Sequence, residues 1–262
     1  MPELRTDDAV LHVEVDGAGE PVTVLAHGLT NSCKELAAFT PLVAGTKVRF
    51  CFRGHGHSSV PEAGYGFADF ARDLDAVADA YGAHNAVGTS LGAGAICHLL
   101  GEDPARFERI VLLLPAALDR ALDGVGEGFR RTASILESMP LERAIDTILS
   151  EPGRAARYRE APWLRELDVL LWQDMNAAGV AKALRGIVGD VAIRDRELLR
   201  KVDSPVLLIG REGDLIHPAE VSRVLADLFP NAELILLTGE EELAASIPML
   251  VDRVGSFLTG AG

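Results

Sequence analysis

The sequence is poor in cysteine and in basic charge, and each shortage removes a class of protein. Its three cysteines, Cys33, Cys51 and Cys97, stand far apart with no C-x-x-C pair. Neither a disulfide framework nor a cysteine zinc site is expected, and a reducing, cytoplasmic setting fits best. Lys and Arg number 25 against 39 Asp and Glu, a formal charge of −14. A chain that holds nucleic acid by neutralising phosphates carries the opposite balance, so no nucleic-acid partner is expected. The N-terminal residues lack the apolar core of a signal peptide. The longest stretch free of Asp, Glu, Lys and Arg runs from Ala80 to Gly101. Its five glycines, Asn85, Thr89, Ser90 and two histidines read as strand, turn and helix, so no membrane span is expected.

What is present supports a packed core. Hydrophobic residues make up 48% of 262 and charged residues 24%, enough for one large α/β domain or two small ones. Apolar runs of strand length alternate with helix-like segments, the pattern of a mostly parallel sheet with helices on both faces. The runs are Val10 to Val15, Val22 to Ala26, Lys47 to Phe52, Asn85 to Gly88, Ile110 to Leu114, Val206 to Gly210 and Leu234 to Leu237. Helices are predicted over Ser32 to Val43, Phe67 to Tyr81, Leu91 to Leu100, Ala219 to Leu228 and Ile247 to Leu258. The alternation stops after Leu114. From Pro115 to about Arg200 the pattern is helical, with both tryptophans and no convincing strand. This predicts a core of residues 1–114 and 201–262 carrying a helical cap or lid over residues 115–200.

The chemistry gathers at Gly88-Thr89-Ser90-Leu91-Gly92, a G-x-S-x-G motif between a strand and a helix. A serine in so sharp a turn needs flanking glycines, because a Cβ would meet the neighbouring backbone. With this motif stand Leu25-Ala26-His27-Gly28-Leu29-Thr30, Arg53-Gly54-His55-Gly56-His57-Ser58 and Gly210-Arg211-Glu212-Gly213-Asp214, each after an apolar strand. In these segments and their order the sequence resembles the α/β-hydrolase family over almost its whole length. The resemblance implies that Ser90 is a nucleophile, that Asp214 orients a histidine, and that the backbone N–H groups of Leu29 and Leu91 stabilise an oxyanion. It implies no cofactor. A serine at position 90 argues against the branches that use an aspartate nucleophile there.

The sequence departs from the family where the general base belongs. The turn after the last strand reads Leu236-Leu237-Thr238-Gly239-Glu240-Glu241-Glu242-Leu243, and no histidine follows His217. The expected position falls between Glu240 and Glu242, centred on Glu241. A glutamate serves as base only if its pKa is raised towards neutrality, and three acids in a row more often form a solvated loop. Among the histidines, His217, three residues after Asp214, is the best substitute base. His27 reads as structural, His55 and His57 belong to the R-G-x-G-x-S turn, His98 lies on the helix after Ser90, and His12 and His84 mark strand edges. None has a metal-ligand spacing with an acid, so no metal is expected. Cys51 stands where the family usually has an aspartate, two residues before Arg53, which weakens a structural hydrogen-bond network.

The expected activity is therefore hydrolysis of a small, mostly apolar ester, lactone or related acyl compound through Ser90, with a non-standard base. The alternatives are a small-ligand-binding protein that has lost turnover, or a lyase or cyclase using the oxyanion pocket. The sequence carries no sign of oligomeric state.

Overall fold

Each central strand alternates its side chains between two apolar layers, as a sheet covered on both faces requires. In the computed structural model, which describes residues 3–37, 40, 43–121 and 124–260, eight strands form one sheet. They are β1 (Glu3–Arg5), β2 (Val10–Asp16), β3 (Val22–Ala26), β4 (Thr46–Phe50), β5 (Asn85–Thr89), β6 (Arg109–Leu113), β7 (Val206–Arg211) and β8 (Ala232–Leu237). The order is β1-β2-β4-β3-β5-β6-β7-β8. β1 and β2 are antiparallel to their neighbours and the rest are parallel. Val24, Ala86, Ile110, Leu112 and Leu208 face one layer, where they meet α1 (Phe67–Tyr81), α2 (Leu91–Glu102) and α8 (Ala219–Leu228). Leu25, Val87, Val111, Leu113 and Leu207 face the other, packing on Leu250, Val254 and Phe257 of α9 (Glu240–Thr259).

Between β6 and β7 the described residues form five α-helices: α3 (Val125–Ser138), α4 (Leu141–Leu149), α5 (Pro152–Glu160), α6 (Pro162–Trp172) and α7 (Ala177–Ile187). Leu136, Ile148, Leu164, Trp172, Val180 and Leu184 give them an apolar cluster of their own. A 3₁₀ turn, Arg196–Lys201, follows, and its buried Leu199 joins the main core with Ala192 and Ile193.

Three expectations need correction. The helix predicted over Ser32 to Val43 is a series of turns through 33–36 with one 3₁₀ residue at Ala37, while 38, 39, 41 and 42 lie outside the described residues. The strand β1 was not read, being only three residues long with one partly buried position. The last helix starts at Glu240, seven residues before the predicted Ile247, so the three glutamates form its first turn rather than a loop. The carboxylate of Glu242 there complements the helix dipole.

The R-G-x-G-x-S turn after β4 is anchored by charge. Arg53, 1% exposed, donates from Nε and Nη2 to Asp73 of α1, which is fully buried, and its Nη groups also reach Asp8. Asp73 accepts the Arg53 backbone N–H as well, at 3.0 Å. With Cys51 in place of the family's aspartate, these two acids from other elements carry the arginine. Removing one partner of a buried pair strands the other charge, at a cost of about 3–5 kcal/mol. Asp73→Ala is accordingly expected to lower the urea-unfolding free energy by that amount, and a loss below about 1 kcal/mol would contradict the assignment.

Candidate active site

Ser90 sits between β5 and α2 with a φ of +49°. Its N–H donates to the Leu113 carbonyl at 3.0 Å, which fixes the turn against β6. The glycine requirement is steric: a Cβ on Gly92 would lie 2.2 Å from the Ala26 carbonyl oxygen, and one on Gly88 would lie 2.5 Å from the Gly92 carbonyl carbon. Leu114, at the end of β6, is the other non-glycine residue with positive φ among those described, and it lines the same cleft as Ser90. Backbone strain of this kind clusters at functional sites.

The structure brings His217 to the serine. The turn after β7 folds around Asp214: its Oδ1 accepts the N–H groups of Ile216 at 2.9 Å and His217 at 3.0 Å. This local wrapping swings the His217 ring so that Nδ1 lies 3.1 Å from Asp214 Oδ2 and Nε2 lies 3.0 Å from Ser90 Oγ. Arg211 Nη2 also donates to Asp214 Oδ2. Burial alone would raise the Asp214 carboxyl, but the hydrogen bond and charge of His217, with the bond from Arg211, hold it far below the usual carboxylate range. Asp214 is thus an ionised acceptor at any working pH, and its 9% exposed side chain has little water to screen it.

Leu29 and Leu91 line the cleft that contains Ser90. The first turn of α9 is used otherwise: Glu242 is exposed and accepts from the Thr238 N–H and hydroxyl, and the Thr238 hydroxyl holds its carboxyl below the usual value. The side chains of Glu240 and Glu241 lie outside the described residues. Three of the other histidines hold backbone. His27 Nε2 accepts the Phe52 N–H at 3.0 Å while Nδ1 faces the Gly28 carbonyl, and burial keeps the ring neutral. His55 spans the Arg53 and Leu29 carbonyls at 2.9 and 2.6 Å, tying the Leu29 turn to the R-G-x-G-x-S turn. His98 Nδ1 meets the Ala192 carbonyl.

One group in the site went unread in the sequence. Glu35 lines the cleft and accepts the Gly28 N–H at 2.6 Å and an N–H of Asn31. A Cβ at Gly28 would lie 3.4 Å from both its carboxyl oxygens and 3.6 Å from Ser90 Cβ, so the acid stands close to the serine. Desolvation pushes this carboxyl up to about 7, with the charge of Asp168 adding to the rise and the two hydrogen bonds opposing it. Asn31 Oδ1 is buried without a partner in this orientation. Turning the amide over would let a protonated Glu35 donate to it.

A proton held on Glu35 has consequences in pH. The folded chain keeps this proton more tightly than the unfolded chain, so stability falls as pH rises from about 4.5 to about 7, by up to about 3 kcal/mol. Glu35→Gln is expected to remove that fall, raising the melting temperature of the variant above that of the parent at pH 8 but not at pH 4. Equal pH dependence in both would show that Glu35 titrates normally.

The cleft has a volume of about 270 Å³, with Phe67, Leu114, Val125, Phe129, Trp172 and Ile187 among its apolar walls. Its polar residues include Asn31, Glu35, Arg154, Arg157 and Asp168, and Arg154 stacks on the Trp172 ring at 5.0 Å. Ser90 and His217 come from the sheet, while Val125, Phe129, Arg154, Arg157 and Trp172 come from α3, α5 and α6. No helix among the described residues is long and apolar enough to cross a membrane.

The sheet order and the strand-turn-helix elbow at Ser90 define an α/β-hydrolase fold. The model of the alpha/beta hydrolase fold family matches residues 24–243, and the chain belongs to that family. It is 26% identical over 245 residues to the 2-(acetamidomethylene)succinate hydrolase of Mesorhizobium japonicum, covering 88% of this chain and 84% of that protein. Among solved structures it is similar to a hydrolase of Pseudomonas aeruginosa, at 26% identity and a TM-score of 0.77 over 99% of this chain and 98% of the other. The enol-lactonase of Burkholderia xenovorans shares the fold at a TM-score of 0.78 and 20% identity, over 98% of this chain and all of the other.

Proposed function

We propose that the protein is a serine hydrolase of small esters, lactones or related acyl compounds, with His217 as the base. The observation that carries this reading is the position of one imidazole within hydrogen-bond reach of both Ser90 Oγ, at 3.0 Å, and Asp214 Oδ2, at 3.1 Å. A serine hydroxyl is a poor nucleophile until a neighbouring base takes its proton. His217 Nε2 takes it as Oγ attacks the substrate carbonyl. The N–H groups of Leu29 and Leu91 then receive the developing oxyanion, and His217 returns the proton to the leaving oxygen. Water deacylates Ser90 by the same path in reverse. Throughout, Asp214 holds Nδ1 protonated, so that Nε2 presents a lone pair to the serine.

Two of the proteins named above are hydrolases by name and the third is an enol-lactonase, which supports this reaction class. The apolar walls and modest volume of the cleft favour a small acyl group. The ligand-binding and lyase readings rested on the absence of a base after β8, and His217 beside Ser90 supports hydrolysis over both. A panel of short-chain chromogenic esters and lactones tests the reading. Turnover is expected to fall at least about 10³-fold in Ser90→Ala, and unchanged turnover in that variant would overturn it.

A further inference from the structure

Side chains two apart on a strand share a face, so β2 presents His12 and Glu14 together. Cys33, in the turn region after β3, meets them there. His12 Nε2 lies 3.1 Å from Glu14 Oε1, Cys33 Sγ lies 3.6 Å from the same oxygen, and the three ligand atoms all fall within 4.8 Å of one another. A tetrahedral zinc ion, with bonds of about 2.0 Å to nitrogen and oxygen and about 2.3 Å to sulfur, sets neighbouring N and O ligands about 3.3 Å apart and S and O ligands about 3.6 Å apart. The two spacings fit that geometry.

We propose that His12, Glu14 and Cys33 form a binding site for a borderline-soft divalent cation of the Zn²⁺ type. The donor set of imidazole, carboxylate and thiolate suits such an ion and not Mg²⁺ or Ca²⁺, which take oxygen ligands. The groups around the ligands orient them. Arg49 holds the second oxygen of Glu14 at 2.8 Å and the Cys33 carbonyl at 3.1 Å, and Ser58 Oγ accepts the His12 backbone N–H at 3.0 Å. Outer partners of this kind hold metal ligands in place. Cys51 Sγ accepts the Cys33 N–H at 3.4 Å but stands outside the three-residue cluster, so water completes the coordination. His12 and Cys33 are 3% and 4% exposed, while the Glu14 side chain, 35% exposed, leaves an entry path. None of the three ligands lines the Ser90 cleft. Cys33 does lie between Leu29 and Glu35, so a bound ion would clamp to β2 the chain segment that forms one wall of that cleft.

Spacing in the sequence hid the cluster, because Cys33 is nineteen residues from Glu14 and belongs to another part of the fold. The test is titration of the metal-stripped, reduced full-length chain with Co²⁺, followed by Zn²⁺ displacement. One equivalent of Co²⁺ is expected to give a thiolate-to-cobalt charge-transfer band that Zn²⁺ abolishes. Affinity should fall at least about tenfold in Cys33→Ser and in the near-isosteric Glu14→Gln, and stay unchanged in Cys97→Ser. Saturating Zn²⁺ should raise the melting temperature of the parent and not of Cys33→Ser. Absence of the band in the parent, its persistence in Cys33→Ser, or equal Zn²⁺ affinity in Cys33→Ser would overturn the proposal.

Discussion

His217→Ala is expected to lower kcat by about 10⁶-fold while leaving KM nearly unchanged. The imidazole is within reach of both the serine hydroxyl and the aspartate. Without it Ser90 has no base, and only oxyanion stabilisation and substrate positioning remain, worth about 10³ over water. Because the groups act as a unit, the Ser90→Ala/His217→Ala double variant should be no slower than either single one. A loss below about tenfold in His217→Ala would mean that another group takes the proton, with the side chains of Glu240 and Glu241 the first to substitute. Glu242, occupied with Thr238, is not expected to rescue it.

Asp214→Asn is expected to cost about 10⁴ in kcat. An asparagine oxygen still accepts the Ile216 and His217 N–H groups, so the turn survives. Its NH₂, however, faces His217 Nδ1, where the carboxylate accepted a hydrogen bond from the ring N–H. The ring must then carry its proton on Nε2 and offer the serine a donor instead of a lone pair. The substitution also takes from Arg211 Nη2 the charge of the oxygen it donates to. Steady-state kinetics, with circular dichroism to confirm an unchanged fold, would check this, and activity near the parental value would contradict it. Since Asp214 stays ionised well below neutrality, no acid limb of the pH profile belongs to it. A fall in activity above about pH 7 is expected from Glu35, whose ionisation sets a negative charge in the same cleft as Ser90, and a Glu35→Gln profile that keeps the fall would contradict this.

Much of the sheet was legible because each buried strand repeats one physical pattern, a run of Val, Ile, Leu and Ala bounded by turn residues. Phe67–Tyr81 and Ala219–Leu228 matched residue for residue, since each has a single apolar stripe and a clear stop at Gly82 or near Pro230. The segment after β3 was not legible. Leu36 and Val43 look helical in spacing, yet both pack under the sheet as part of a turn-rich segment. Its misreading hid Glu35, which folds back onto Gly28 and Asn31 of the same segment, and Cys33, whose partner Glu14 comes from β2.

The candidate site was half legible. Glycines 88 and 92 announced Ser90 because the backbone approaches them too closely for any side chain. His217 could be weighed only as a substitute. Its approach to Ser90 depends on two backbone N–H groups folding onto Asp214 Oδ1, and sequence spacing does not display such wrapping. The glutamates after β8 drew attention by their place in the family pattern. Their common cause is the start of α9, whose dipole favours acids.

The central claim is that Ser90 is activated by His217 from the acid turn. Intact-mass measurement of fluorophosphonate labelling in the parent, Ser90→Ala and His217→Ala tests it most directly. One adduct per chain in the parent, none in Ser90→Ala and strongly slowed labelling in His217→Ala is the predicted result. Labelling of His217→Ala at the parental rate, or no adduct in the parent after hours, would contradict it.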